Sequence, residues 1–234
     1  MNGTEKYLWK MTVPLFAFVL GASYLVHAQS KSRAGTGPSE KARRNVAIVL
    51  FEGVELLDFA GPGEVFSAAG SRGAFNVFTV GGAAGLITSQ GFVTIRTEYT
   101  IANSPRPDIL VLPGGGVGSV IGDPALMAWI KKTSRESELV LSVCNGALIL
   151  GKAGLLDGLQ ATTHHGSIAS LRELSPTTTV HENRRFVDNG KVVTAGGVSA
   201  GIDAALHVVE RLLGQEAAQK AARYMEYRWE RSDS

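Results

Sequence analysis

The sequence predicts a doubly wound α/β domain, and three observations carry that reading. From Asn45 onward, short apolar runs alternate with helix-like patterns. The runs have strand length and are apolar at nearly every position, as strands covered on both faces of a parallel sheet are. Glycine-rich turns follow several of the runs, and in open α/β sheets sites form beyond the carboxyl ends of strands.

Taken in order, Val46 to Phe51 (VAIVLF) reads as the first buried strand, and Gly61 to Ala69 as a helix with Pro62 near its first turn. Phe75 to Val80 is the second strand. Leu86 to Ser89 and Phe92 to Ile95 flank Gln90-Gly91 and predict a hairpin carried as an excursion from the alternating pattern. Ile109 to Leu112 is another buried strand, stopping at Pro113-Gly114-Gly115-Gly116. Asp123-Pro124 opens a helix reaching about Lys132, Leu139 to Val143 is the central strand, and Gly146 to Lys152 is a short apolar helix. Thr162 to His165 reads as a strand, and Arg184 to Asp188 and Val192 to Ala195 flank a turn at Asn189-Gly190. Ala200 to Leu213 is amphipathic, and a last helix runs from about Gln215 to Tyr227.

The chain has 234 residues, 44% hydrophobic and 19% charged, which suits one globular domain with an extension. A net charge of +2 without any block of five like charges excludes an electrostatic footprint for nucleic acid and favours a small-molecule partner. Residues 1–28 read as an export signal: Lys6 and Lys10 start it, Met11 to Val26 is an uncharged, mostly apolar run, and Val26-His27-Ala28 suits cleavage. The run's sixteen residues fall short of the ~20 that span a bilayer. A periplasmic or secreted protein, free of the membrane after cleavage, is the expectation. The alternative is an uncleaved anchor, since Lys31, Arg33, Lys41, Arg43 and Arg44 follow the run. Residues 29–43 form a tether, and residues 44–231 the folded domain.

Cys144 is the single cysteine and cannot form an intrachain disulfide. Burial as a small apolar group would explain it, but its place between the strand LVLSV and the helix GALILGK is an elbow of the kind that presents a nucleophile. There the start of the helix is expected to lower the thiol pKa, and Gly146 to let the chain turn tightly. Asp58 follows the first strand and precedes a helix, as a general acid/base or simply a capping carboxylate. The PGGG turn exposes backbone N–H groups that can face an anion, or else is only a tight turn. His164 and His165, adjacent in a strand, are expected on opposite faces and unable to share a metal; with one cysteine and no spaced histidine pair, no metal site is expected. Residues 146–153 match a phosphate-binding loop only until Ala153, which replaces the hydroxyl that binds magnesium.

Together VELLDFAGPGEVF, VLPGGG, SVCNGALILGKAGLLDG and ATTHH, in that order, resemble the ThiJ/PfpI (DJ-one/PfpI) superfamily over residues 45–227, most closely its isonitrile hydratase branch. The resemblance implies a flavodoxin-like sheet of the class I glutamine amidotransferase type, usually a homodimer, and no cofactor. It places Cys144 at the nucleophile position, Asp58 at the carboxylate beside it, Gly115 and Asn145 at the oxyanion-type donors, and His164 near the thiol. Isonitrile hydratases carry a threonine after the nucleophile and the protease members a histidine, where this chain has Asn145. The glyoxalase and deglycase branch carries glutamate at the carboxylate position, where this chain has Asp58. The implied activity is addition of water to an isonitrile, giving an N-substituted formamide, with an electrophilic small molecule as partner. Glyoxalase or deglycase activity ranks below it. A non-catalytic ligand-binding or thiol-redox sensing protein is the alternative, and the chain ends at Ser234 without room for the helix-turn-helix domain that sensing relatives carry.

Overall fold

The computed structural model describes residues 43–69 and 73–229. The export signal at 1–28, nearly all of the tether and the segment 70–72 lie outside the described residues. Seven strands form the main sheet: β1 (Arg44–Val49), β2 (Phe75–Gly81), β5 (Tyr99–Thr100), β6 (Ile109–Leu112), β7 (Leu139–Ser142), β10 (Phe186–Asp188) and β11 (Val192–Ala195). Their order is β10-β11-β7-β6-β1-β2-β5, parallel except for the β10–β11 pair. Among the longer parallel strands this is the 2-1-3-4-5 order of flavodoxin-like folds. The chain leaves β1 toward β2 on one side and returns to β6 on the other, so the switch point lies between β1 and β6.

Strands β6 and β7 are buried at every residue, and Val46 to Val49 of β1 likewise, which is why they read as unbroken apolar runs. Helix α1 (Leu56–Ala69) packs against α6 (Ala200–Leu213) and α7 (Gln215–Tyr224). Between β6 and β7 lie α2 (Val117–Ile121) and α3 (Pro124–Glu136), and Asp123 caps α3 by accepting the Ala125 and Leu126 N–H groups. Helix α4 (Ala147–Lys152) follows β7, and α5 (Ile168–Leu174) lies between the two-residue strands β8 (Gln160–Ala161) and β9 (Thr179–Val180), which pair with each other. The expected hairpin is present as β3 (Leu86–Ser89) and β4 (Val93–Arg96), antiparallel, with Gln90 and Gly91 both at positive φ.

Two expected elements are different. Helix α1 begins at Leu56 and not at Gly61, with Pro62 inside it. Its buried face is Asp58, Gly61, Pro62, Val65 and Phe66, a continuous helical stripe in which Asp58 is the first member. Asp58 therefore sits in the first turn of the helix instead of preceding it. The segment Thr162 to His165 is not a strand: β8 ends at Ala161, and the backbone enters a helical turn at His165–Ser167.

Candidate active site

Four strand ends meet at the carboxyl edge of the sheet and bring the expected residues together, except that they engage one another differently. Cys144 follows β7 with φ +58, a left-handed conformation that costs a non-glycine residue about 1–2 kcal/mol. The tight turn is thus made by Cys144 itself, while Gly146 is helical, at φ −56, and its lack of a side chain admits the Leu112 carbonyl. Cys144 is held from two sides: its N–H donates to Gly196 C=O at 2.8 Å, and Thr163 Oγ1 donates to its C=O at 2.8 Å. Only 8% of the residue is exposed.

Asp58 is fully buried beside the thiol. Its Oδ2 accepts the Gly114 N–H at 2.9 Å, and Oδ1 is buried with no hydrogen bond from a protein nitrogen or hydroxyl among the described residues. Burial pushes the Asp58 carboxyl up to about 7; the Gly114 N–H works against that rise and the nearby charge of Glu55 adds to it. Burial also pushes the Cys144 thiol up to about 12, reinforced by the negative charge of Asp58 and opposed by the N–H groups of Asn145 and Val198, which face the sulfur. This corrects the expected lowering at a helix start. Helix α4 has only six residues and follows a helical turn of another type at Cys144–Gly146, so its dipole is short, and desolvation wins.

The loop after β6 is zipped to the loop after β1. Glu55 N–H donates to Gly114 C=O and Gly116 N–H to Gly53 C=O, each at 2.9 Å. Gly115, one of the two expected anion donors, is occupied: its N–H donates to Asn145 Oδ1 at 2.8 Å, and Asn145 Nδ2 donates back to Gly115 C=O at 3.0 Å. The donors that do face the sulfur are the backbone N–H groups of Asn145 and Val198. Val198, in the loop after β11, has φ +49, which for a β-branched residue is real backbone strain. The sequence reading missed it, although the run GGVSAG between a buried strand and an amphipathic helix is the same signal as PGGG after β6.

His164 lies at the edge of the site, its ring against Gly197, where any side chain would collide with it. Its Nδ1 accepts the Gly166 N–H at 3.2 Å. The His164 and His165 rings lie side by side with centroids 4.2 Å apart, so the expected opposition of their faces fails with the strand that implied it. Among the described residues no group of three or more His, Cys, Asp or Glu side chains is arranged to hold a metal ion.

A mostly parallel sheet in the 2-1-3-4-5 order, presenting a cysteine on a strained elbow at its carboxyl edge, defines a flavodoxin-like α/β domain with a cysteine-centred site. Within that class the chain belongs to the DJ-1/PfpI family, whose model matches residues 44–211. Isonitrile hydratase of Pseudomonas putida is 33% identical over 184 residues, 78% of each chain. The HTH-type transcriptional regulator CdhR of Pseudomonas aeruginosa is 26% identical over 134 residues, 57% of this chain and 40% of the regulator. The crystal structure of a ThiJ/PfpI family protein from Pseudomonas syringae superimposes with a TM-score of 0.74 at 26% identity, over 87% of this chain and 85% of that one.

Proposed function

We propose that the protein hydrates an organic isonitrile to an N-substituted formamide, with Cys144 as nucleophile and Asp58 as the proton carrier. The observation that carries this reading is the buried Asp58 carboxylate beside a protonated thiol, ionising near neutrality, where one group can both take and return a proton. Similarity to isonitrile hydratase supports the substrate class.

Above pH about 7 the carboxylate is charged and the thiol is not. As sulfur bonds to the terminal carbon of the isonitrile, Asp58 takes the thiol proton and delivers it to that carbon, leaving a thioimidate. Water then adds to the same carbon: Asp58 accepts a proton from the water and passes it to nitrogen. The carbon–sulfur bond breaks, the hydroxyl proton returns to sulfur through Asp58, and the formamide leaves. The Asn145 and Val198 N–H groups stabilise the departing sulfur as it gains negative charge. The cycle consumes one water and needs no cofactor.

The competing reading, a redox-sensing thiol, has the similarity to a transcription regulator in its favour. It is weaker because oxidation follows thiolate character, and burial beside a carboxylate suppresses the thiolate here. Export on the strength of residues 1–28 belongs to the same proposal, as does a homodimer; the exposed Leu86 and Phe92 of the hairpin give a second copy an apolar surface to cover.

Turnover of a simple isonitrile and of methylglyoxal by the purified protein, beside Cys144→Ala, tests the reading. Formamide formation that vanishes in the variant supports it. Formamide formation that survives overturns the covalent route, and conversion of methylglyoxal alone replaces the hydratase with a glyoxalase.

A further inference from the structure

We infer that the cavity beside Cys144 is an anion subsite, so that the substrate carries a carboxylate or an equivalent anionic group remote from its reacting carbon; this rests on Cys144 being the reacting group. The cavity has a volume of about 280 Å³, ample for a group of carboxylate size. Its inner wall is Thr163, Gly196 and Val198, the residues that hold the Cys144 backbone and face its sulfur. Its outer wall is His164, Arg184 and Arg185.

The charge balance of the outer wall is positive. Glu182, which also lines the cavity, is spent on Arg172 at 2.8 Å. Arg185 is anchored to Asp203, with Nε to Oδ2 at 2.6 Å, and its Nη2 reaches Ser199 Oγ at 3.3 Å. Arg184 has no carboxylate partner among the described residues. Its backbone is nevertheless held through its neighbour, because the Arg185 C=O accepts the Gly196 N–H at 2.8 Å, while the buried Thr162 hydroxyl, 2.9 Å from the His181 C=O, lies 3.3 Å from the Arg184 C=O. With His164 Nδ1 engaged as an acceptor, the ring hydrogen belongs on Nε2 and adds a further donor. A small cavity with surplus donors and one uncommitted guanidinium, walled on one side by residues that hold the nucleophile, suits the planar, bidentate geometry of a carboxylate.

Cys144 is the single thiol of the chain, which gives a readout independent of turnover. The rates at which iodoacetate and iodoacetamide alkylate it are to be compared in the full chain and in Arg184→Gln, an exposed position whose replacement leaves the core intact. The anionic reagent is expected to lose about tenfold relative to the neutral one in the variant, as for a charged hydrogen-bond partner removed. An unchanged ratio overturns the subsite. Isocyanoacetate and its methyl ester, differing in one charge, then separate this inference from the hydratase reading. An acid-to-ester kcat/KM ratio that falls about tenfold in Arg184→Gln supports the subsite, and equal ratios in both proteins overturn it while leaving the hydratase. Hydration of neither compound, with the alkylation preference intact, leaves the anion subsite and removes the hydratase.

Discussion

Asn145 and Gly115 hold each other by two hydrogen bonds, Gly115 N–H to Asn145 Oδ1 at 2.8 Å and Asn145 Nδ2 to Gly115 C=O at 3.0 Å. The amide beside the nucleophile thus clips the elbow after β7 to the glycine loop after β6, and its side chain is committed to that loop. A threonine at this position has one hydroxyl and cannot satisfy both backbone groups with the same geometry. Asn145→Ala is expected to lower stability by about 1–2 kcal/mol, by leaving two partly buried backbone groups without partners, and to lower kcat more than it changes KM. Asn145→Asp is expected to be worse than Asn145→Gln in activity and at least as destabilising as Asn145→Ala, since it sets a partly buried carboxylate oxygen against the Gly115 carbonyl. Urea unfolding and steady-state kinetics on the variants check both statements.

The pH dependence follows from the Asp58 and Cys144 pair. With the carboxyl pushed up to about 7, kcat/KM is expected to rise through pH 7 as the proton acceptor ionises. With the thiol pushed up to about 12, no second change is expected before pH 10. A nucleophile activated by a lowered thiol pKa would instead give a rise well below neutrality. The kcat/KM profile between pH 5 and 10 distinguishes the two, and Asp58→Asn should remove the rise together with most of the activity.

Asp58 also costs stability when charged. Its folded pKa of about 7 lies above the unfolded value of ~3.9, so the native state binds a proton that the unfolded state has released throughout that window. Stability should therefore fall as pH rises from about 4 to 7 and level off above, by an amount on the order of 4 kcal/mol from this group alone. Asn at this position keeps an acceptor for the Gly114 N–H and carries no charge. Asp58→Asn is expected to be more stable than the parent by roughly 2–4 kcal/mol at pH 8 and no more stable near pH 4, an inactive but stabilised protein. Urea titrations at the two pH values test the sign.

Much of this arrangement is legible in the sequence because it is local. The buried parallel strands, the Asp123 cap and the bounds of α6 follow from runs and periodicities a few residues long. The start of α1 is hidden because Pro62 reads as a first-turn residue, yet it is the seventh residue of the helix, where tertiary packing tolerates it. Strands β8 and β9 have two residues each, too few for a pattern, and without them the His164–His165 geometry is misread. The thiol pKa is misread for another reason: a helix start is visible in sequence, but burial of Asp58 and Cys144 against each other comes from chain segments 86 residues apart. The run GGVSAG marks the loop that carries Val198, but nothing in it marks Val198 itself as the left-handed residue, since propensity argues against a β-branched side chain there.

Gly114 is where the three components of the site come closest. A Cβ on it would stand 2.8 Å from Asp58 Oδ2 and 2.8 Å from Cys144 Cβ, and nearer still to Asn145 Oδ1, against ordinary contacts of ~3.5–4 Å. None of these neighbours can withdraw cheaply: Asp58 accepts the Gly114 N–H itself, Asn145 is clipped to Gly115, and Cys144 is pinned at Gly196. Gly114→Ala is therefore expected to cost about 1–3 kcal/mol and at least ~100-fold in kcat, because displacing any one of the three separates carboxylate from thiol. Gly118→Ala, four residues on in α2, meets nothing within 4 Å and should be neutral or up to ~1 kcal/mol stabilising, with activity retained. Thermal unfolding and turnover of this pair separate a steric requirement at the site from a general need for glycine in the loop. Equal behaviour of the two variants would show that the close approach at Gly114 does not position the reacting groups.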